Sequence, residues 1–340
     1  MIATPLEADL AERIAGVPGV RVLFAAELLP APRYPSDHRG GDGFVRDAAG
    51  EKRWNAMLAV AEVLYGIPGE SGSQLAAAIS RAPALRWVQG TYAGAGEQVR
   101  AAHLAPADLE RITFTTSAGV HGGMLAEFAF FGLLALRKDA LRLDRIRSAR
   151  GWDHFAMDEL DGSTIAVVGM GNIGQALAHR ARAFGMHVIG VTRTGQAHPA
   201  ADETVPIDAA TDAYRRADAI VATLPGTEAT RHLIDRATIA SWKPSAVFIN
   251  VGRGTVVDQA ALVDALVAGA IHGAVLDVCD PEPLPPDNPL WTLPNVIFSP
   301  HTAALSVHEN ERIVELFCDN LRRYAAGIPL RNVVDIHEFY

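Results

Sequence analysis

Six short apolar runs recur through the middle of the chain: Thr164 to Val168, Met186 to Val191, Ala219 to Thr223, Ala246 to Val251, Ile271 to Asp277 and Val296 to Ser299. They are rich in Val, Ile and Ala and show no polar alternation, the pattern of strands buried on both faces. Segments with helical spacing separate them, among them Ile173 to Phe184. Strand and helix in alternation predict a parallel, doubly wound α/β sheet. The same rhythm is fainter towards the N-terminus. Val20 to Ala25, Leu85 to Gln89 and Ile112 to Thr115 read as strands, and Trp54 to Val60 as a helix leading into Val63-Leu64-Tyr65. The apolar helix near Gly122 to Leu136 is interrupted by Glu127 and ends at Arg137-Lys138. It falls short of the roughly 20 apolar residues that span a bilayer and reads as a buried helix, so no membrane association is expected.

Pro30 to Gly50 is rich in Pro, Gly and Asp and predicts an exposed loop, either a lid or an inert surface excursion. A boundary is expected near Ser117-Ala118-Gly119, where a strand ends and the apolar helix begins. The helix Leu305 to Ala326 is expected to return to the N-terminal domain. Residues 1–118 and 305–340 then form one discontinuous domain and residues 119–304 the other, with the cleft between lobes as the default ligand site. The length of 340 residues agrees with two domains of roughly 150 residues each.

Composition acts mainly by exclusion. The hydrophobic fraction of 49% and charged fraction of 20% are ordinary for a globular protein with a sizeable core. A net charge of -9 argues against a general nucleic-acid binder, which carries a basic surface for phosphate. Cys279 and Cys318 make neither a disulfide framework nor a metal-ligand cluster, and read as free thiols of a cytoplasmic protein. Glu7, Asp9 and Glu12 stand where a signal peptide needs a basic start and an apolar run.

The first chemical signal is Val167-Val168-Gly169-Met170-Gly171-Asn172-Ile173-Gly174, which follows a strand and opens a helix. Gly169 permits the tight turn, Gly171 lets a pyrophosphate approach the backbone, and Gly174 lets the helix pack on the sheet. The N–H groups of Asn172 and Ile173 face the phosphates at the positive end of the helix. Alone such a glycine pattern is weak. Its place between strand and helix, with a second strand at the expected distance, points to a dinucleotide. An NAD site usually places Asp or Glu about 20 residues on, to hold the ribose 2′-hydroxyl. Here Val191-Thr192-Arg193-Thr194 offers none. Arg193 provides a permanent charge for a 2′-phosphate and Thr192 and Thr194 add hydroxyl donors, which predicts NADP(H) in preference to NAD(H). The alternative is a solvated arginine in a polar turn.

Asn250-Val251-Gly252-Arg253-Gly254 ends a buried strand, where parallel sheets bind ligands. Arg253 suits the fork geometry of a carboxylate and could polarise a neighbouring ketone, although an isolated arginine is more often a surface charge. His301, in Ser299-Pro300-His301-Thr302, also follows a strand. Glu282 sits in the proline-bounded loop Asp280-Pro281-Glu282-Pro283-Leu284. A carboxylate paired with His301 would orient its ring and favour its protonated form, ready to deliver a proton as hydride reaches carbon. No nucleophile is required and no metal cluster is offered.

These residues bring the chain to a known family. Gly162 to Ala304 resembles the D-2-hydroxyacid dehydrogenases, in Leu224-Pro225-Gly226-Thr227-Glu228-Ala229-Thr230-Arg231-His232, in Asn250 to Asp258, in Leu276-Asp277-Val278, in Glu282-Pro283-Leu284-Pro285 and in Ser299-Pro300-His301. Arg86-Trp87-Val88-Gln89-Gly90-Thr91-Tyr92-Ala93-Gly94 is similar to the family's substrate-domain loop, and Asn320 to Asp335 to its usual ending. The resemblance implies a Rossmann cofactor domain with a smaller, discontinuous flavodoxin-like α/β substrate domain. It implies the Arg253, Glu282 and His301 roles argued above, and places Leu224 and Pro225 with the cofactor-binding residues. It implies that Asp277 holds the nicotinamide carboxamide and that backbone N–H groups around Tyr92, Ala93 and Gly94 receive the substrate carboxylate. His121 and Glu127 match the hinge-helix motif, with structural roles expected. A homodimer is the family's usual assembly. Two departures stand out. Ala95-Gly96-Glu97 replaces the common continuation of the substrate loop, and the acid is missing at Thr192. The second feature is similar to NADPH-preferring glyoxylate and hydroxypyruvate reductases, the activity the chain is expected to have on a small 2-keto or 2-hydroxy acid. Phosphoglycerate- or lactate-type dehydrogenases are the alternatives. Glu282 argues against a formate-type enzyme, and a dinucleotide-sensing corepressor stays open because such proteins can retain all three side chains.

Overall fold

The structure is a computed structural model and describes residues 1–339. The chain divides into two compact units, one comprising Met1–His121 with the segment from Leu305 onward, the other Gly122–Ala304.

In the first unit three parallel strands, β1 (Val63–Tyr65), β2 (Trp87–Gln89) and β3 (Thr113–Thr115), pair in sequence order. Beyond β1 the order continues through Ile2, bridged in parallel to Tyr65, and then Leu23, whose carbonyl accepts from Ile2 N–H at 3.0 Å. With these two segments counted as positions one and two, the spatial order is 2-1-3-4-5, the flavodoxin-like arrangement. Val20 to Ala25 is nevertheless not a strand. It forms no ladder: among the described residues its one backbone hydrogen bond to the sheet is that from Ile2 N–H to Leu23 O. The Ile2 position itself carried no strand signal.

The sheet is covered on both faces. Leu58, Leu64, Leu75, Leu85, Val88 and Phe114 make one layer. On the other, Ile313, Val314, Phe317 and Leu321 of the helix Glu309–Ala325 pack with Tyr65 and Trp87. That helix begins later than the apolar pattern predicts, since Leu305 and Ser306 are irregular and Val307-His308 form a turn.

The segment from Pro30 to Gly50 also departs from expectation. It is not surface throughout: Ser36, Asp37 and His38 are buried. Its end is helical, because the Asp47 side chain accepts from Gly50 N–H and starts the helix Ala48–Val60, which satisfies an orphan donor of the first turn.

The second unit holds a seven-stranded parallel sheet. Its strands are β4 (Thr164–Val168), β5 (His187–Thr192), β6 (Glu203–Pro206), β7 (Ala219–Ala222), β8 (Val247–Asn250), β9 (Gly273–Leu276) and β10 (Val296–Phe298), in the order β10-β9-β8-β7-β4-β5-β6. Side-chain period two sends Ala166, Val168, Ile220, Ala222 and Phe248 to one face and Ile165, Val167, Val221, Val247 and Ile249 to the other. Both sets are buried, so the strands read as unbroken apolar runs. β6 escaped the pattern because Glu203 and Thr204 make it a half-exposed edge. The helices Gly122–Arg137 and Asn172–Ala183 cover the second face with Leu125, Phe130, Leu133 and Leu177. The strand order reverses between β4 and β7, and this switch point is where open α/β sheets bind ligands.

Candidate active site

Every residue expected to touch a cofactor or to move a proton in the second unit lies at the carboxyl end of a strand. After β4, Gly169 turns the chain at φ 100°, with its N–H donating to Val191 O at 2.8 Å and its carbonyl accepting from Thr223 Oγ1 at 2.8 Å. A Cβ added at Gly174 would come 2.0 Å from the Gly169 carbonyl oxygen, so the helix starting at Asn172 can sit close only with glycine there. Gly171 differs. Its φ of -72° suits any residue and an added Cβ meets no atom within 4 Å. Nothing in the protein requires glycine at 171, yet the space before it lies beside the N–H groups of Asn172 and Ile173. A turn held by glycines that face protein, with one glycine facing open space at a helix N-terminus, fits a pyrophosphate.

After β5, Thr192 Oγ1 accepts from Gly195 N–H at 3.0 Å and Thr194 Oγ1 from Gln196 N–H at 3.4 Å. Both hydroxyl oxygens shape the turn, and both keep their O–H as donors. Arg193 is exposed on the same turn. After β7, Leu224 packs a methyl group where a Cβ on Gly169 would reach 2.9 Å, and the Pro225 carbonyl accepts from Thr230 Oγ1 at 2.7 Å.

The loop after β8 shows why arginine stands between two glycines. A Cβ at Gly252 would lie 2.6 Å from Leu224 O, and one at Gly254 would lie 2.0 Å from Cys279 O. The loops following β7 and β9 thus press on either side of Arg253. Asn250, buried at the strand end, ties the turn together: its amide donates to Arg253 O at 3.0 Å and its carbonyl oxygen accepts from Gly252 N–H at 3.1 Å. Sequence reasoning gave Asn250 no role. An asparagine closing a strand just before a glycine turn is the signal that could have found it. Arg253 Nη1 donates to Gly252 O at 3.0 Å, and its charge acts on both Glu282 and His301.

Glu282 and His301 come together from the loops after β9 and β10. His301 Nδ1 lies 2.8 Å from Glu282 Oε2, while Glu282 Oε1 accepts from Cys279 N–H at 3.2 Å. The hydrogen bond to Glu282 is the largest influence on His301 and raises its pKa, against burial. At Glu282 burial is the largest influence and works upward. The bond from His301, its charge and the Cys279 N–H together outweigh it and lower the pKa. Nδ1–H therefore belongs to the carboxylate, and Nε2 is the ring position left for proton exchange. His301 holds φ 54°, uncommon for a residue with a side chain. Its N–H is held by Asp277 O at 2.8 Å and Ser299 O at 2.9 Å.

Asp277 is 2% exposed, and its Oδ1 accepts from Ser299 Oγ at 2.8 Å, Thr302 N–H at 3.0 Å and Ala303 N–H at 2.9 Å. The aspartate expected at the nicotinamide thus also builds the turn that carries His301. This second task was not visible in the sequence.

In the first unit, Tyr92, Ala93 and Gly94 follow β2. Tyr92 O accepts from Ser117 N–H at 3.1 Å, and Gly94 precedes the helix Ala95–Ala101, into which the unusual Ala95-Gly96-Glu97 continuation is drawn. His121 Nε2 lies 2.9 Å from the buried Glu309 Oε1, and in the second unit Glu127 pairs with Arg180 at 3.3 Å on the surface. Among the described residues no group of three or more His, Cys, Asp or Glu could hold a metal ion, and no helix is long and apolar enough to cross a membrane.

This is the architecture of a dinucleotide-dependent oxidoreductase. Residues 130–303 match the family model of the D-isomer specific 2-hydroxyacid dehydrogenase NAD-binding domain, and the chain belongs to that family. It is an NAD(P)-dependent enzyme of 2-hydroxy acids. It is 36% identical to a glyoxylate reductase of Korarchaeum cryptofilum over 66% of this chain and 69% of that protein. Among solved structures it is similar to a D-isomer specific 2-hydroxyacid dehydrogenase of Xanthobacter autotrophicus in complex with NADPH and MES. That match has 26% identity and a TM-score of 0.75 over 100% of this chain and 99% of the other. An NADPH-dependent glyoxylate/hydroxypyruvate reductase of Sinorhizobium meliloti in complex with NADP and sulfate matches at 25% identity and a TM-score of 0.76, over 100% of this chain and 98% of the other.

Proposed function

We propose that the protein is an NADPH-preferring reductase of small 2-keto acids of the glyoxylate and hydroxypyruvate type. The observation that carries the reading is the 2.8 Å Glu282–His301 pair at the carboxyl edge of the sheet, within the field of Arg253. The reduced nicotinamide, when bound, supplies a hydride for C2 of the substrate. Asn172 and Ile173 offer N–H groups to the pyrophosphate, with Leu224 and Pro225 beside the turn. Arg253 binds the substrate carboxylate and draws charge onto the adjacent ketone oxygen, a preorganised stabilisation. His301, held protonated by Glu282, gives the Nε2 proton to that oxygen and takes it back in the oxidative direction. Asp277 holds the carboxamide end of the nicotinamide and the turn bearing His301. The backbone around Tyr92, Ala93 and Gly94 contributes N–H donors to the carboxylate.

Cofactor choice follows from the turn after β5. No carboxylate stands at Thr192 to repel a 2′-phosphate, and Arg193 offers it an exposed guanidinium. The structural relatives in complex with NADPH or NADP agree with this reading. A panel of glyoxylate, hydroxypyruvate, pyruvate and phenylpyruvate, assayed with NADPH and NADH, tests both parts. An NADH preference would overturn the role of Arg193, and no turnover with any keto acid despite NADPH binding would favour a sensing protein.

The assembly is a homodimer in this reading. The helix Ala140–Ser148 buries none of its residues, and Phe131, Leu141, Leu143 and Trp152 are exposed, Trp152 at 89%. Exposed apolar side chains recurring within one stretch of sequence fit a contact surface. A monomeric mass by sedimentation would exclude the dimer. The two free, buried cysteines accord with a cytoplasmic location.

A further inference from the structure

The turn from Arg33 to Gly40 is built inward. The Arg33 guanidinium donates twice to the Asp37 carboxylate, at 2.7 and 2.9 Å, and Asp37 also accepts from the N–H groups of Arg33 and Gly40. Ser36, at φ 67°, donates from Oγ to Ser306 O at 2.8 Å. These bonds hold the next residue, His38, in the interior with no exposed surface. Its Nδ1 lies 3.5 Å from Thr4 Oγ1 and its Nε2 4.0 Å from Glu309 Oε1. Its ring meets the Tyr92 ring edge-on, with centroids 5.7 Å apart at 84°. Burial, assisted by His121, brings the His38 pKa down to about 4, so the imidazole is neutral.

Stability alone does not account for this histidine. Among the described residues, His38 Nε2 and Glu309 Oε2 are buried without a hydrogen-bond partner. A buried polar atom left without a partner destabilises the fold, and an apolar side chain of similar volume would avoid that cost. What His38 does touch is Tyr92, at the head of the substrate loop. The Tyr92 backbone is tied by its carbonyl, which accepts from Ser117 N–H at 3.1 Å. The ring of His38 supplies a contact to its side chain.

We propose that His38 is a positioning residue. Its buried ring, delivered by the turn Arg33 to Gly40, braces Tyr92 and so fixes the backbone N–H groups of the Tyr92-Ala93-Gly94 loop that receive the substrate carboxylate. This rests on the assignment of that loop above. It gives the loop a support that does not depend on the family's usual continuation, which Ala95-Gly96-Glu97 replaces.

The test is steady-state kinetics with glyoxylate at saturating NADPH, alongside NADPH affinity and Tm. A contact that binds ground and transition states alike changes KM and spares kcat, so His38→Ala is expected to raise the glyoxylate KM about tenfold and to change kcat and NADPH affinity by less than about threefold. His38→Phe, which keeps a ring edge against Tyr92, is expected to restore KM. His38→Leu fills the volume without a ring and keeps the question open should the alanine variant not fold: a raised KM supports the proposal. A lowered Tm with KM unchanged in His38→Leu overturns it, since that is all a packing role would give. Ala93→Pro removes a loop N–H and separates the two assignments. If it raises KM while neither His38→Ala nor His38→Leu does, the positioning role fails alone; if KM moves in none of them, the loop assignment fails too.

Discussion

The seven-stranded sheet and the three-stranded sheet start from similar apolar segments and reach order by different means. In the second unit β4 is flanked on both sides by continuous ladders, and its residues Ile165 to Val168 are buried on both faces. Its loop ends inherit their positions from that frame and need only short local bonds, such as those of Asn250 and Asp277. In the first unit each strand has three residues, and the sheet is extended on either side by single bridges, Ile2 to Tyr65 and Val333 to Thr115. Side chains take over the work of the ladder there. Trp87 Nε1 donates to Thr115 Oγ1 at 2.7 Å, Thr115 Oγ1 donates to Gln89 at 2.9 Å, and Phe317 packs its tilted ring on Trp87 from a helix that lies beyond the whole second unit in sequence. A strong ladder frees its loops for chemistry, while a short one makes the unit's order depend on a few large or polar side chains.

The comparison can be broken most sharply at His301. If its turn is held by Asp277 and the strands rather than by the ring, His301→Ala will lower kcat by about 10²–10⁴-fold, the range for loss of a general acid, with NADPH affinity and Tm unchanged. Stopped-flow single turnovers and a cofactor titration check this, and a parallel loss of cofactor binding would show that the ring supports the loop. The next largest effect belongs to the first unit. Trp87→Ala is expected to cost about 3–5 kcal/mol in denaturant unfolding, because one side chain carries both core volume and a sheet hydrogen bond.

The glycine turn sharpens the contrast further. Gly174→Ala pushes a methyl group against Gly169 O and is expected to destabilise by about 1–3 kcal/mol. Gly171→Ala enters open space, so stability should stay within about 0.5 kcal/mol while NADPH binding weakens. Equal stability losses in the two variants would contradict the different jobs given to them. The smallest effect is one of pH. Glu282 is the main cause of the raised His301 pKa, which keeps the proton on the ring to higher pH. Reductive kcat/KM therefore falls as pH rises through that pKa. In Glu282→Gln the fall is expected at lower pH, and the rise of the oxidative rate should move the same way.

Legibility followed the same division. β4, β5, β7, β8 and β9 were readable because burial on both faces writes uninterrupted Val, Ile and Ala, and β10, half-buried at an edge, because Val296-Ile297-Phe298 carries no polar residue. β6 was not, because an edge strand with Glu203 carries a mixed message. In the first unit, Ile2 holds its place with the hydrogen bonds of one residue, which no periodicity can announce. Val20 to Ala25 has the composition of a strand and lacks a partner long enough to make it one. The site was easier to read than the small sheet, since Gly169, Arg253, Glu282 and His301 sit in turns whose residue types suit little else. Hidden from the sequence were the supports: Asn250 behind Arg253, the threefold use of Asp277 Oδ1, and His38. The last lies in a stretch whose prolines, glycines and aspartates suggest surface. Asp37 instead spends its charge within the turn on Arg33, and so the chain can turn inward.

The squeeze on Gly252 and Gly254 has a consequence for how such an enzyme can change. With a neighbouring main chain seated against each flank of Arg253, an inserted or deleted residue in the segment after β7 or after β9 would shift the guanidinium along with it. Loop lengths on that edge are locked to one another, so new substrate preferences are expected to arise through side-chain replacement there, and through remodelling of main chain only in parts of the protein that carry no such wedge.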